Sequence, residues 1–315
     1  MLSFLASLVI LGGLLTVGLR FLKLDIPNER SVHSFPVPRS GGLAIVIGGW
    51  LGWTLVPNFP LVLFLCALGM LLLSWLDDQY HLPILPRIVV QAFIVTFFLS
   101  TVLSVWVMFP IALLALIWMT NLYNFMDGSD GLAGGMAIIG FGCYAIAAKF
   151  AGDQTFFLLN SSIVAATIPF LMLNFHPAKM FMGDVGSIPL GFLSGALGYL
   201  GWEQGHWPLW YPILVFAPFI MDATATLIKR IIAGEKFWLP HKRHYYQRFL
   251  LMGAGHRNTF WAEFTLMVAC GGSAIAGLLF PVSVQYFLLM SWIVVFTFLA
   301  ITIDRRWRKF AHEAT

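Results

Sequence analysis

The feature that most constrains this chain is its scarcity of charge: residues 41–76 and 88–120 pass without a single Asp, Glu, Lys or Arg. Over 315 residues, 59% are hydrophobic and 10% charged, where a soluble domain carries roughly 25% charged residues. A water-soluble globule of this length cannot hide so much apolar surface, which excludes a soluble enzyme and a disordered scaffold. The runs lack the strict alternation of an outer-membrane barrel. The expected fold class is therefore all-α, a polytopic membrane protein of one integral domain over 1–315. Cys66, Cys143 and Cys270 all lie inside apolar runs and form no disulfide or metal framework.

Span boundaries follow from length. Residues 2–22 make one span, and 41–76, interrupted at 56–60, make two with a tight turn. The uncharged run 88–120 would reach about 50 Å as one helix, against a hydrocarbon core of ~30 Å. It folds instead as a hairpin turning near 105–110. Blocks 131–175, 187–228 and 258–303 turn near Gly152-Asp153, near 203–208 and near Pro281. One span plus five hairpins predicts about 11 transmembrane helices. Of the 18 Lys and Arg residues, all but Lys149 then fall on one side or at its helix ends. By the positive-inside rule that side is the cytoplasm and the N-terminus is periplasmic. The first span lacks a basic leader, so it reads as a retained helix rather than a cleaved signal. No repeat of the transporter kind is visible.

The cytoplasmic loops are rich in groups suited to phosphate and cations. In the first, 25–42, prolines stiffen the chain, and Gly41-Gly42 beside Arg39 opens span two, where a helix N-terminus can bind an anion. In the second, the adjacent carboxylates Asp77 and Asp78 require a cation, a cationic partner or a proton between them, while His81 and Arg87 read as polar flanks. In the third, Asn124, Asp127 and Asp130 share a face if helical, or lie on tight turns set by two Asp-Gly steps; both geometries gather oxygen atoms. In the fourth, Asp184 stands between glycines just before span eight, suited to a hard cation, with Phe181 three residues earlier. The longest cytoplasmic stretch, 229–258, carries His241, His244 and Arg248, either as a basic surface on acidic lipid or as a wall around a diphosphate. Asp222 lies inside span nine and needs a partner; Arg230, two turns along, is the candidate. Taken together, these loops suit Mg²⁺ held by few carboxylates and substrate phosphates.

The segments 124–133 (NFMDGSDGLA) and 177–187 (PAKMFMGDVGS), with the Asp77-Asp78 pair, resemble the polyprenyl-phosphate N-acetylhexosamine-1-phosphate transferases, glycosyltransferase family 4. The likeness runs from the first loop to Arg248. It implies transfer of a sugar 1-phosphate from a UDP-sugar to undecaprenyl phosphate, releasing UMP, with Mg²⁺ required and Mn²⁺ the alternative. By the same resemblance Asp184 is the principal metal ligand, with Asp77 or Asp78 nearby, and Asn174 and Phe181 hold and stack on the uracil. Asp77, Asp78, Asp127, Asp130 and His244 fall among the catalytic positions, and Arg39, Asn124, His241 and Arg248 among the substrate-binding ones.

Many members carry His-x-His-His where this chain has His244-Tyr245-Tyr246-Gln247. That version resembles the subgroup that begins O-antigen synthesis with N-acetylfucosamine or N-acetylquinovosamine. The implied setting is the bacterial inner membrane. The implied partners are a UDP-N-acetyl sugar, undecaprenyl phosphate and membrane lipids, with a homodimer compatible and no nucleic acid.

Three alternatives stand beside this reading. A secondary transporter would place its acids near the midplane, where only Asp222 and Glu263 qualify. A non-catalytic lipid-binding protein would not need acids from three loops. A CDP-alcohol phosphotransferase would need an Arg after Asp130-Gly131-Leu132-Ala133, where Gly134 stands.

Overall fold

In the computed structural model, residues 1–16, 24–25, 37–236, 239 and 241–313 are described. Most of the first loop and the end of the first expected span lie outside them. The described chain is almost wholly helical: α1 Leu2–Thr16, α2 Gly41–Trp53, α3 Leu61–Tyr80, α4 Ile84–Val102, α5 Phe109–Phe125, α6 Leu132–Phe150, α7 Gln154–Asn174, α8 Asp184–Glu203, α9 Trp210–Val215, α10 Ala217–Ile232, α11 Tyr245–Phe249, α12 Gly255–Gly277 and α13 Val282–Glu313. A two-residue ladder pairs β1 (Leu24–Asp25) with β2 (Val37–Pro38).

Each expected hairpin turn falls between two helices. Among the described residues seven helical segments are long and apolar enough to cross a membrane: α3, α4, α5 with the turn before it, α6, α7, α11 running into α12, and α13. The apolar helices α1 and α2 are shorter. The chain is thus an all-α, multi-pass membrane protein. The stretch 229–258 is not one loop. It holds the end of α10, the short α11, a π-helical turn over Leu250–Ala254 and the start of α12.

In lipid, apolar surface gains little by leaving the solvent, so helices associate through close packing of small residues and through hydrogen bonds. α6 fits this rule: 72% of its apolar window is buried, against 6% for α13, which presents its side chains outward. Gly140 lets α6 approach the Phe216 ring, where an added Cβ would stand 2.3 Å from the ring edge. α2 and α8 touch backbone to backbone at Gly42 and Gly186; a Cβ on Gly42 would meet Gly186 Cα at 2.3 Å.

The hairpin turns are stapled to one another at one end of the bundle. Ser104 Oγ donates to Glu203 Oε2 at 2.6 Å, and Tyr199 Oη donates to Glu203 Oε1 at 2.6 Å. His206 Nε2 lies 3.0 Å from Asp153 Oδ2, and Trp210 Nε1 donates to Gln285 Oε1 at 3.0 Å. The longer connections meet at the other end. Two faces therefore exist, a turn face and a loop face. With the native cysteines all buried, cysteines introduced at the exposed positions Gln204 and Lys236 will react with a membrane-impermeant maleimide from opposite sides of the bilayer. Labelling of both from one side would contradict this arrangement.

Candidate active site

The loop-face site is assembled by backbone zippering before any side chain contributes. Phe181 N–H donates to Pro38 O at 2.8 Å, Gly41 N–H to Phe181 O at 2.9 Å and Gly42 N–H to Met182 O at 2.9 Å. Gly183 closes the junction at φ +71, with no room for a side chain against Arg39 O. These bonds carry Arg39, just before α2, to Asp184, the first residue of α8: Arg39 Nη2 is 3.9 Å from Asp184 Oδ1. At a helix N-terminus the carboxylate also faces the positive end of the helix dipole.

Asn124, in the last turn of α5, donates from Nδ2 to Asp184 Oδ1 at 3.0 Å and to Ser187 Oγ at 2.9 Å. It orients the acid and leaves the second carboxylate oxygen free of that amide. Asp127 follows in the turn after α5. Burial pushes its carboxyl well above the usual range, and the charge of Asp184 adds to this, partly offset by Arg39. A buried carboxyl beside a second acid favours a shared cation or a proton.

Asp77, near the C-terminus of α3, shares a small cleft with Asp184; Leu73, Ser74, Arg87, Gln91 and Ile188 complete its lining. Arg87, read from the sequence as a flank, is the cationic partner of Asp77, donating from Nη1 to Oδ2. Leu82 N–H donates to the other oxygen at 2.9 Å. The pairing answers the repulsion within the Asp77-Asp78 pair, since one of the two charges meets a guanidinium. Asp78 is half-buried beside it. Sequence reasoning missed Arg87 because its partner lies ten residues back, across the turn between α3 and α4.

Asp130 does not join Asn124 and Asp127 on a common face. Gly131, at φ +78, turns the chain into α6, and the Asp130 carboxylate meets His176, the Ala178 N–H and His256 instead. Asn174 is buried and ties two loops together. Its Oδ1 accepts from Gly131 N–H at 2.9 Å and its Nδ2 donates to Met180 O at 2.9 Å. Phe181 is half-buried at the zippered junction.

The His-Tyr segment is held by Asp222, whose partner is not Arg230. Asp222 accepts from Tyr245 and Tyr246 N–H, both at 2.9 Å, and from Thr226 Oγ1 at 3.2 Å, and it lies 3.1 Å from His244 Nδ1. A buried carboxylate thus caps α11, while Arg230 pairs with Glu235 and donates to the Leu239 and Lys236 carbonyls. His244 is buried, and its ring packs near Phe125, 6.1 Å between centroids. His241 lies above it. Burial, with His244, Arg230 and Arg243 nearby, holds the His241 imidazole down to about 4, so it is neutral at physiological pH. Arg248 turns away to Asp304 of α13 at 2.8 Å, with its guanidinium over Tyr245 and Trp307.

The pattern of the Glycosyl transferase family 4 matches residues 60–201. The chain is similar to a probable undecaprenyl-phosphate N-acetylglucosaminyl 1-phosphate transferase of Bacillus subtilis (strain 168), 31% identical over 276 residues, covering 81% of this chain and 77% of that protein. It is also similar to a decaprenyl-phosphate N-acetylglucosaminephosphotransferase of Mycolicibacterium smegmatis, 27% identical over 297 residues, covering 78% and 73%. An undecaprenyl-phosphate alpha-N-acetylglucosaminyl 1-phosphate transferase of Yersinia pestis is 24% identical over 332 residues, covering 97% and 90%.

Each buried N–H left without an acceptor costs about 1–3 kcal/mol. Asp222→Ala strips both N-terminal amides of α11 and will lower the thermal midpoint of the detergent-purified protein by several degrees. Asp222→Asn, which keeps an oxygen acceptor, will fall in between. Equal midpoints for Asp222→Ala and the parent would show that the cap is not structural.

Proposed function

The chain belongs to glycosyl transferase family 4, and from that premise we propose that it transfers an N-acetylhexosamine 1-phosphate from a UDP-sugar to undecaprenyl phosphate. The products are undecaprenyl-diphosphate-sugar and UMP. The names of its relatives, which specify N-acetylglucosaminyl 1-phosphate and a prenyl phosphate, support the reaction class. The observation that carries the proposal for this chain is the convergence of Asp184, Asp127, Asp77 and Arg39 from four separate segments on one face. A transporter does not need that convergence, and a passive lipid-binding protein does not need two repelling carboxylates held together.

The donor set fits Mg²⁺, with Mn²⁺ the alternative: Asp184 and Asp127 offer hard oxygens whose mutual repulsion a divalent ion relieves. Asp184 is the principal holder and Asp127 the second. Asp77 contributes to the same cleft with its charge already met by Arg87. Such an ion supplies neutralisation of the diphosphate and of the leaving UMP.

The protein's own groups do the positioning. Asn124 fixes the Asp184 carboxylate. Arg39, half-exposed beside it, meets a phosphate oxygen. The lipid monophosphate, with a second pKa near ~6 as in other phosphomonoesters, is already largely dianionic and needs little base. Its oxygen attacks the sugar-linked phosphorus in line, the bond from that phosphorus to the bridging oxygen breaks, and UMP leaves with the electron pair. Asp78 orients the acceptor or takes its last proton. The nucleobase lies against Phe181, and the neutral His241 with His244 lines the donor side. The prenyl tail remains in the bilayer between helices, which accounts for chemistry at a helix-end boundary. On this reading the loop face is cytoplasmic, eleven crossings place the N-terminus outside, and the enzyme resides in a bacterial inner membrane. The Tyr245-Tyr246-Gln247 sequence supports a 6-deoxy-N-acetylhexosamine donor and initiation of O-antigen.

In a purified assay UMP release will require both lipid phosphate and UDP-sugar. Asp184→Asn will reduce turnover by about 10²–10³-fold, the scale of losing a transition-state charge contact, without loss of folded protein. Near-normal turnover of that variant would remove the ion-holding role. Phe181→Ala will weaken UDP-sugar binding by about tenfold, within the ~1–3 kcal/mol of a base–aromatic stack, and will leave the lipid KM nearly unchanged. Comparing UDP-N-acetylglucosamine with its 6-deoxy counterparts identifies the donor. Capture of a phospho-aspartate with UDP-sugar alone would replace direct attack with a two-step path.

A further inference from the structure

Asp130, His176 and His256 come from three segments far apart in sequence, and the transfer reaction leaves the two histidines without a part. Asp130 is buried after α5, His176 follows α7, and His256 stands in the first turn of α12. His176 Nδ1 is 2.6 Å from Asp130 Oδ2, His256 Nδ1 is 3.7 Å from Asp130 Oδ1, and the three donor atoms lie within 4.8 Å of one another. The imidazoles are parallel, with planes 6° apart and centroids separated by 5.4 Å, and both present Nδ1 to the same carboxylate.

His256 Nδ1 lies 3.4 Å from the Asp130 backbone N–H, a group that can only donate and that a lone pair on that nitrogen accepts in the Nε2–H tautomer. The Ser129 hydroxyl lies 3.1 Å from the same nitrogen. In that tautomer a lone pair on His256 stands close to the Asp130 carboxylate, two electron-rich atoms whose proximity a cation converts from repulsion into ligation.

We propose that Asp130, His176 and His256 form a transition-metal site, separate from the all-oxygen site at Asp184. Ligand atoms ~2.0–2.1 Å from a tetrahedral zinc lie about 3.3 Å apart, and the observed donors reach that spacing by shifts of about an ångström. Two imidazoles and one carboxylate select Zn²⁺, Co²⁺, Mn²⁺ or Fe²⁺ over Mg²⁺. His176 is 40% exposed, which leaves the remaining coordination positions open to water. On binding, the Nδ1 proton that His176 shares with Asp130 is released to solvent. The ion would pin together the α5–α6 loop, the α7–α8 loop and the start of α12, the segments that frame the active site. The inference does not depend on the transferase reading.

The test uses the full chain without a polyhistidine tag, purified in detergent, stripped with chelator and then loaded with Zn²⁺ or Co²⁺ and desalted. Elemental analysis will find about one ion per chain in the parent and in Asp184→Asn, and Co²⁺ will give a ligand-field absorption band. His176→Ala, at a half-exposed position that tolerates truncation, and His256→Gln will both fall to background and lose the band while eluting as folded protein. Retention of metal in both His variants, or no metal above a chelated control in the parent, would overturn the site. Loss of metal in Asp184→Asn alone would assign the ion to the other cleft and overturn it equally.

Discussion

The backbone zipper that joins 37–42 to 181–183 is the interaction around which the loop face is organised, because it sets Asp184 beside Arg39, Asn124 and Asp127. Neither acid is placed by its own helix alone. Asp184 is delivered by the backbone zipper of 37–42 with 181–183 and locked by Asn124 and Ser187. Asp127 rides on the turn that ends α5. Burying an acid beside a second one disfavours its charge, and Arg39 offsets this at Asp127 while the α8 N-terminus and a hydrogen bond from Asn124 hold Asp184. The arrangement persists only because α2 and α8 meet through glycines, with no side chain between Gly42 and Gly186.

A second buried anion performs a structural task. Asp222 lies on the stripe Phe219, Asp222, Ala223, Thr226 and Arg230, the buried face of an otherwise amphipathic α10. There it satisfies the first amides of α11 and fixes His244. The last turn of the same helix carries Lys229, which pairs with Asp304 and Tyr245, so α10, α11 and α13 are cross-linked at their loop ends. Charges at this face thus divide into a set directed to the cleft and a set that holds the histidine segment in position.

Much of the fold was legible in the sequence. The turns near 105–110, Gly152-Asp153 and Pro281 fall between helices because a bilayer limits helix length and because Pro and Gly mark the breaks. Asp184 and Asp127 stood out as candidates as well, since acids flanked by glycine at the ends of apolar runs have few structural uses. Arg87 did not, because its partner is reached by a turn whose shape has no hydropathy signal. The true partners of Asp222 were invisible because two of them are backbone amides, which every sequence possesses. Asp130 stood at the same spacing as Asn124 and Asp127, yet Gly131 turned it toward two histidines remote in sequence. Asn174 was expected at the nucleotide; that its amide bridges Gly131 and Met180 has no trace in the sequence.

By itself, the sequence determined that the chain is built of apolar helices, where most of the turns between them fall, and that charge collects at their ends. A charged side chain in hydrocarbon is expensive, and an unpaired backbone group there forces helix formation, so composition along the chain dictates these features. Only the tertiary structure decided which ends meet. Lateral order and rotation of helices in lipid depend on the fit of small residues such as Gly42, Gly140 and Gly186 and on a few hydrogen bonds, terms too local and too directional to be read from hydrophobicity.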